Sequence, residues 1–137
     1  MAEDAGAAEA PDWFENAIAG LSPAHRRALI AARQAIEEEA ESAAPSHRLE
    51  GTLKWGQPSF ALRPKRGTAV RLGVSADRPA FFVHCATTLV EDWRMRAGPD
   101  ADVSGKRAVF INEDAMDALR PFIRSVFDYR VTRSGGD

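Results

Sequence analysis

Ser59-Phe60-Ala61-Leu62-Arg63, Val70-Arg71-Leu72-Gly73-Val74 and Ala80-Phe81-Phe82-Val83-His84 are three short runs separated by turn signals. In the first two, large apolar side chains fall at every second position: Phe60 and Leu62, then Val70, Leu72 and Val74. A period of two belongs to a strand with one buried and one exposed face. Pro64-Lys65-Arg66-Gly67 and Ser75-Ala76-Asp77-Arg78 carry turn chemistry. Two hairpins in series are therefore predicted, which make an antiparallel meander. Ala108-Val109-Phe110-Ile111 supplies a fourth strand.

Upstream, Leu49-Glu50-Gly51-Thr52-Leu53-Lys54-Trp55-Gly56-Gln57-Pro58 leads into the first strand. Glu50 and Lys54 stand four apart, in the order that favours a shared helical face. A one-turn helix is predicted over His47 to Lys54. Trp55-Gly56-Gln57-Pro58 breaks it, with Gly56 supplying a positive φ. Ser22-Pro23 is an N-cap hydroxyl followed by proline at the first helical position. The helix it starts is predicted to reach about Ala43. Its inner stripe is Leu29, Ala32, Ile36, Ala40 and Ala43. Glu37, Glu38, Glu39 and Glu41 crowd its C-terminal half, where the helix dipole favours cations instead. Before it, Pro11-Asp12-Trp13-Phe14 opens a short helix with Trp13, Phe14, Ala17 and Ile18 as its apolar stripe.

Downstream, Thr87 or Thr88 caps a helix with Leu89, Val90, Trp93 and Met95 inward, and Gly98-Pro99 stops it. Asn112 caps a last helix with Met116, Leu119, Phe122, Ile123 and Val126 as its buried stripe. Pro121 inside that pattern is predicted to kink or split it. The expected fold class is α+β: an antiparallel β-meander packed against N- and C-terminal helices. Residues 11–133 are read as one domain, and residues 1–10 and 134–137 as disordered segments.

A chain of 137 residues is long enough to bury one core without staples. Cys85 is the single cysteine, which excludes an intramolecular disulfide and suits a reducing compartment. No apolar run approaches about 18 residues, and the acidic start lacks the pattern of a signal peptide. A cytoplasmic protein with no membrane partner is expected. Residues 1–21 hold five acids and no base, whereas residues 46–111 hold eleven bases and six acids. That central excess is too dispersed for a nucleic-acid stripe, so no nucleic acid is expected, but it suits a small anionic ligand. An oligomer is compatible with the composition.

The run from Glu50 to Tyr129 resembles the YdhG-like family. Glu50 with Lys54-Trp55-Gly56-Gln57-Pro58-Ser59-Phe60 carries the resemblance, as do Gly67-Thr68-Ala69-Val70-Arg71-Leu72-Gly73 and Phe82-Val83-His84-Cys85-Ala86-Thr87-Thr88-Leu89-Val90. Trp93-Arg94, Gly105-Lys106-Arg107-Ala108-Val109 and Phe122-Ile123 continue it. The resemblance implies helices packed on an antiparallel sheet and no particular activity. One bacterial branch of the family is described as frataxin-like, an intracellular iron chaperone. Here Asp128-Tyr129-Arg130 stands where relatives often carry Tyr-His.

The candidate chemistry is sparse. Glu50, Lys54 and Trp55 either line a cleft, with Trp55 stacking on a ligand, or form a surface pair beside a core indole. Arg71 falls on the polar side of its strand, where Arg63 is expected to face it across the hairpin. Together they form either an anion clamp or a solvated face. Cys85 sits at a strand-to-helix junction, as a thiol of lowered pKa or as a buried structural thiol. Adjacent residues on a strand point apart, so His84 does not serve Cys85 as a base. Glu37, Glu38 and Glu41 offer hard oxygen ligands suited to Fe(II), or form a solvated helix face. The three histidines lack zinc-site spacing. There is no phosphate loop, no dinucleotide fingerprint and no nucleophile elbow. The leading expectation is a non-enzymatic binding module for a small polar or anionic ligand. Its cleft would use Glu50, Lys54, Trp55, Gln57, Arg71, Cys85 and Thr87. The alternatives are a frataxin-like iron chaperone using the acidic helix and an interaction domain using an exposed sheet face or edge.

Overall fold

The computed structural model describes residues 13–130. The segments predicted to be disordered, 1–10 and 134–137, lie outside the described residues. The chain is α+β. Residues 13–18 are helical (α1), and α2 spans Pro23–Ala43. The strands are β1 (Arg48–Lys54), β2 (Gln57–Arg63), β3 (Val70–Ser75), β4 (Arg78–Phe82), β5 (Val103–Ser104) and β6 (Ala108–Phe110). Helix α3 (Leu89–Ala97) follows β4, and α4 (Met116–Asp128) follows β6. All six strands form one antiparallel sheet in the order β1-β2-β3-β4-β6-β5.

Among the described residues the helices cover one face of the sheet. Its alternating residues Phe60, Leu62, Val70, Leu72, Phe81 and Val109 join the apolar faces of the four helices in a single core. Phe14 of α1 meets Phe60, and Phe122 of α4 meets Phe81 and Trp93. The opposite face has a small apolar cluster of Ala80, Ala108 and Phe110 flanked by Phe82, and is otherwise polar. Arg78 lies over the Phe110 ring and pairs with Asp102, whose carboxyl it holds below the usual range by hydrogen bonding.

Helix α2 starts as its sequence dictates. The Ser22 hydroxyl accepts a hydrogen bond from the His25 N–H at 3.1 Å, and Pro23 occupies the first turn. Ser22→Ala therefore lowers folding stability by about 0.5–2 kcal/mol, read as a lower urea midpoint at constant m. The helix buries Leu29, Ala32, Ile36 and Ala40 as expected, while Ala43 is half-buried and Ala44 takes its place in the core.

Several local expectations are corrected. Arg48–Lys54 is a strand and not a helical turn. Glu50 and Lys54 still share a face, because residues four apart do so on a strand as well. Trp55 and Gly56 form a two-residue hairpin turn with φ of +52° and +78°, and Lys54 stands opposite Gln57. The positive φ at Gly56 thus joins two strands rather than a helix and a strand. Met95 is 78% exposed, because it lies outside the face that turns Leu89, Val90 and Trp93 into the core. Of the two outcomes expected at Pro121, a kink or a split, the split does not occur, because α4 is one helix. The buried stripe Leu119, Phe122, Ile123 and Val126 outweighs the one missing backbone hydrogen bond.

Candidate functional site

The open face of the sheet holds a recess whose charged side chains are all cationic. Gln57 of β2, Arg71 and Ser75 of β3, Phe82 of β4 and residues 104–108 of the β5–β6 turn line a recess of about 380 Å³. Register brings them together. Arg71 stands opposite Ser59 on one side and Phe82 on the other, and Phe82 stands opposite Ala108. The turn carrying Lys106 and Arg107 is pinned twice: the Arg107 carbonyl accepts from the Val83 N–H at 2.8 Å, and the Gly105 carbonyl from Arg94 at 3.0 Å.

Arg71 is the centre of this arrangement. Its Nε donates to Gln57 Oε1 at 3.1 Å, and its guanidinium lies 5.1 Å from the Trp55 ring centroid. Gly73 permits this, because a Cβ there would lie 2.5 Å from Gln57 Nε2 and lift that side chain off the sheet. Burial, and then the nearby charge of Arg107, push the Arg71 pKa down. Lys106 and Arg107 make no ion pair among the described residues, and no carboxylate lines the recess. Three cations thus share a small volume without a counter-charge. An anion entering it meets the free Nη edge of Arg71, the geometry that binds carboxylate or phosphate in bidentate fashion.

The predicted cleft is only partly assembled. Gln57 and Arg71 meet, with Trp55 stacked on Arg71 and 82% exposed to solvent, so the indole is not a core residue. Glu50 and Lys54 line a separate groove of about 400 Å³ along β1 and β2, in which Glu50 binds Arg63 at 2.9 Å. Arg63 faces Arg48, not Arg71, because six residues separate β2 from β3 and the register places Ser59 opposite Arg71. Cys85 and Thr87 lie in the loop before α3, outside the recess. Cys85 is an exposed free thiol rather than a buried one, and Thr87 donates its hydroxyl to the His84 carbonyl at 2.8 Å. His84 Nδ1 accepts from the Ala86 N–H at 3.0 Å.

The acidic half of α2 finds its partners on α4. Glu38 binds Arg120 at 2.7 Å, and Glu39 binds Arg120 and Arg124, each at 3.2 Å. These contacts hold Arg120 strongly in its charged form, the Glu38 hydrogen bond contributing most. Glu37 is engaged by Arg33 at 3.1 Å, and Glu37 and Glu41 both line a hollow that also contains His47. Glu37 and Glu41 thus share one hollow, and Glu38 turns away from it to Arg120. Among the described residues no three His, Cys, Asp or Glu side chains converge as metal ligands. Acids placed against the helix dipole are compensated by arginines more than 80 positions away in the chain.

Lys106, Arg107, Ser75 and Ser104 were not legible as site residues. Lys106-Arg107 belongs to the 105–109 stretch, but only the β4–β6 pairing brings it to Arg71. Among the described residues no helix is long and apolar enough to cross a membrane. Comparison of this chain with protein-family profiles, with curated proteins and with solved structures returns no match.

Proposed function

We propose that this protein is a binding module for a small anion, carboxylate or phosphate, seated against Arg71, Lys106 and Arg107 on the open sheet face. One observation carries the reading: three cations line a recess of about 380 Å³ that contains no carboxylate. Gln57 and Trp55 hold the Arg71 guanidinium in place, so little side-chain entropy is lost when its outer edge takes an anion. Ser75 and Ser104 add hydroxyl donors at the rim. The arrangement of helices on one face of an antiparallel sheet is also the architecture that the YdhG-like resemblance implies.

The test is calorimetry at low salt with phosphate, pyrophosphate and citrate. The native chain binds at least one of them, and binding weakens as salt is raised. Arg71→Ala weakens it about tenfold to a hundredfold, the cost of losing a charged hydrogen-bond pair. Arg107→Ala also weakens it, while Lys54→Ala, in the neighbouring groove, leaves it unchanged. Absence of heat with every anion, or equal affinity in native and Arg71→Ala proteins, sinks the proposal.

A further inference from the structure

Strand β1 is an edge of the sheet, and among the described residues nothing pairs with its outer side. The hairpin turn decides which backbone groups face outward. A two-residue turn makes Lys54 and Gln57 a hydrogen-bonded pair, and such pairs alternate along the ladder. Arg48, Glu50, Thr52 and Lys54 therefore direct their N–H and C=O groups to β2. Leu49, Gly51 and Leu53 direct theirs to solvent. The edge is seven residues long and contains no proline, which elsewhere blunts such edges. Two large apolar side chains stand exposed at its end, Leu53 at 53% and Trp55 at 82%.

We infer that two copies of this chain pair antiparallel along β1, with Thr52 of each copy meeting on the two-fold axis, to form one continuous sheet. Charge selects the register. With Thr52 opposite Thr52, Glu50 of each copy faces Lys54 of the other, in pairs without mutual backbone bonds, where side chains approach most closely. Gly51 and Leu53 then exchange backbone hydrogen bonds across the interface. Leu53 of one copy lies over Gly51 of the other, beside the half-buried Trp13 indole that overhangs this glycine. The neighbouring register, with Gly51 opposite Gly51, sets Arg48 against Lys54 and is opposed by like charge. The contact is isologous, so it closes at two copies. A single strand edge buries less than a standard interface, so the dimer is a weak one that forms with rising concentration.

Sedimentation of the full chain over a concentration series tests this. The native protein shifts from monomer to dimer, and Lys54→Glu raises the midpoint about tenfold. Glu50→Lys does the same, and the double exchange Glu50→Lys with Lys54→Glu restores association. In a Cys85→Ala background, Thr52→Cys forms an interchain disulfide on mild oxidation, because non-hydrogen-bonded neighbours have the required spacing. A native chain that stays monomeric at millimolar concentration overturns the inference. So does a dimer that ignores the charge exchanges, or one in which Thr52→Cys fails to cross-link.

Discussion

Phe122→Ala is expected to lower folding stability by about 3–5 kcal/mol. Phe122 is fully buried on α4, and it joins that helix to β4 and to α3. Its ring lies 5.9 Å from that of Phe81 on β4 and 5.9 Å from that of Trp93 on α3. Truncation removes the transfer energy of the ring and leaves a cavity between a helix and a sheet that cannot close without moving both. It also removes two aromatic pairs, each worth about 0.5–1.5 kcal/mol beyond its area. Against a total stability of about 5–15 kcal/mol, such a loss consumes much of the margin. Urea denaturation followed by fluorescence reads it as a lower midpoint, and Phe122→Leu loses less than Phe122→Ala. A loss under about 1.5 kcal/mol for the alanine variant would show that the core around α4 collapses into the space.

Gly67→Ala is expected to cost about 2–4 kcal/mol, far more than the same change at Gly56. Both glycines have a positive φ, +70° and +78°, which charges any alanine about 1–2 kcal/mol. They differ in what surrounds them. Gly56 has open space where a Cβ would go. At Gly67 a Cβ would collide with the Val126 carbonyl oxygen and lie 2.6 Å from the Phe127 carbonyl carbon. These are backbone atoms and cannot rotate away. The β2–β3 connection crosses the end of α4 here and is tied down by three contacts. The Thr68 N–H donates to the Val126 carbonyl at 3.0 Å, Arg66 Nε to the Phe127 carbonyl at 3.3 Å, and Arg66 binds Asp128 at 2.7 Å. Relief of the collision means detaching this loop. Matched urea titrations of Gly67→Ala and Gly56→Ala decide it, and equal losses would put the cost in φ alone.

How much of this was legible depends on the range over which each feature is decided. The hairpins of β2–β4 were readable from the alternation at Phe60, Leu62, Val70 and Leu72, and the start of α2 from Ser22-Pro23. The sequence of strand β1 does not declare itself, because Glu50 and Lys54 share a face in a helix and in a strand alike, and Gly51 interrupts the alternation of Leu49 and Leu53. Strand β5, two residues long, is too short to show any period. Of the candidate site, Gln57 and Arg71 were identified and do meet. Their cationic neighbours were not, because Lys106 and Arg107 are paired with them only through the sheet order β3-β4-β6.

Period, caps and turn residues are local properties, set by side chains a few positions apart, and from them the sequence alone determined an α+β chain with an antiparallel meander between helices. Tertiary structure decided the rest. It turned the acids of α2 toward Arg120 and Arg124, left β1 at the sheet edge, and gathered Arg71, Lys106 and Arg107 around one recess. Each of these depends on register and packing between segments distant in the chain, where the burial of a shared core, and not any local preference, chooses the neighbours.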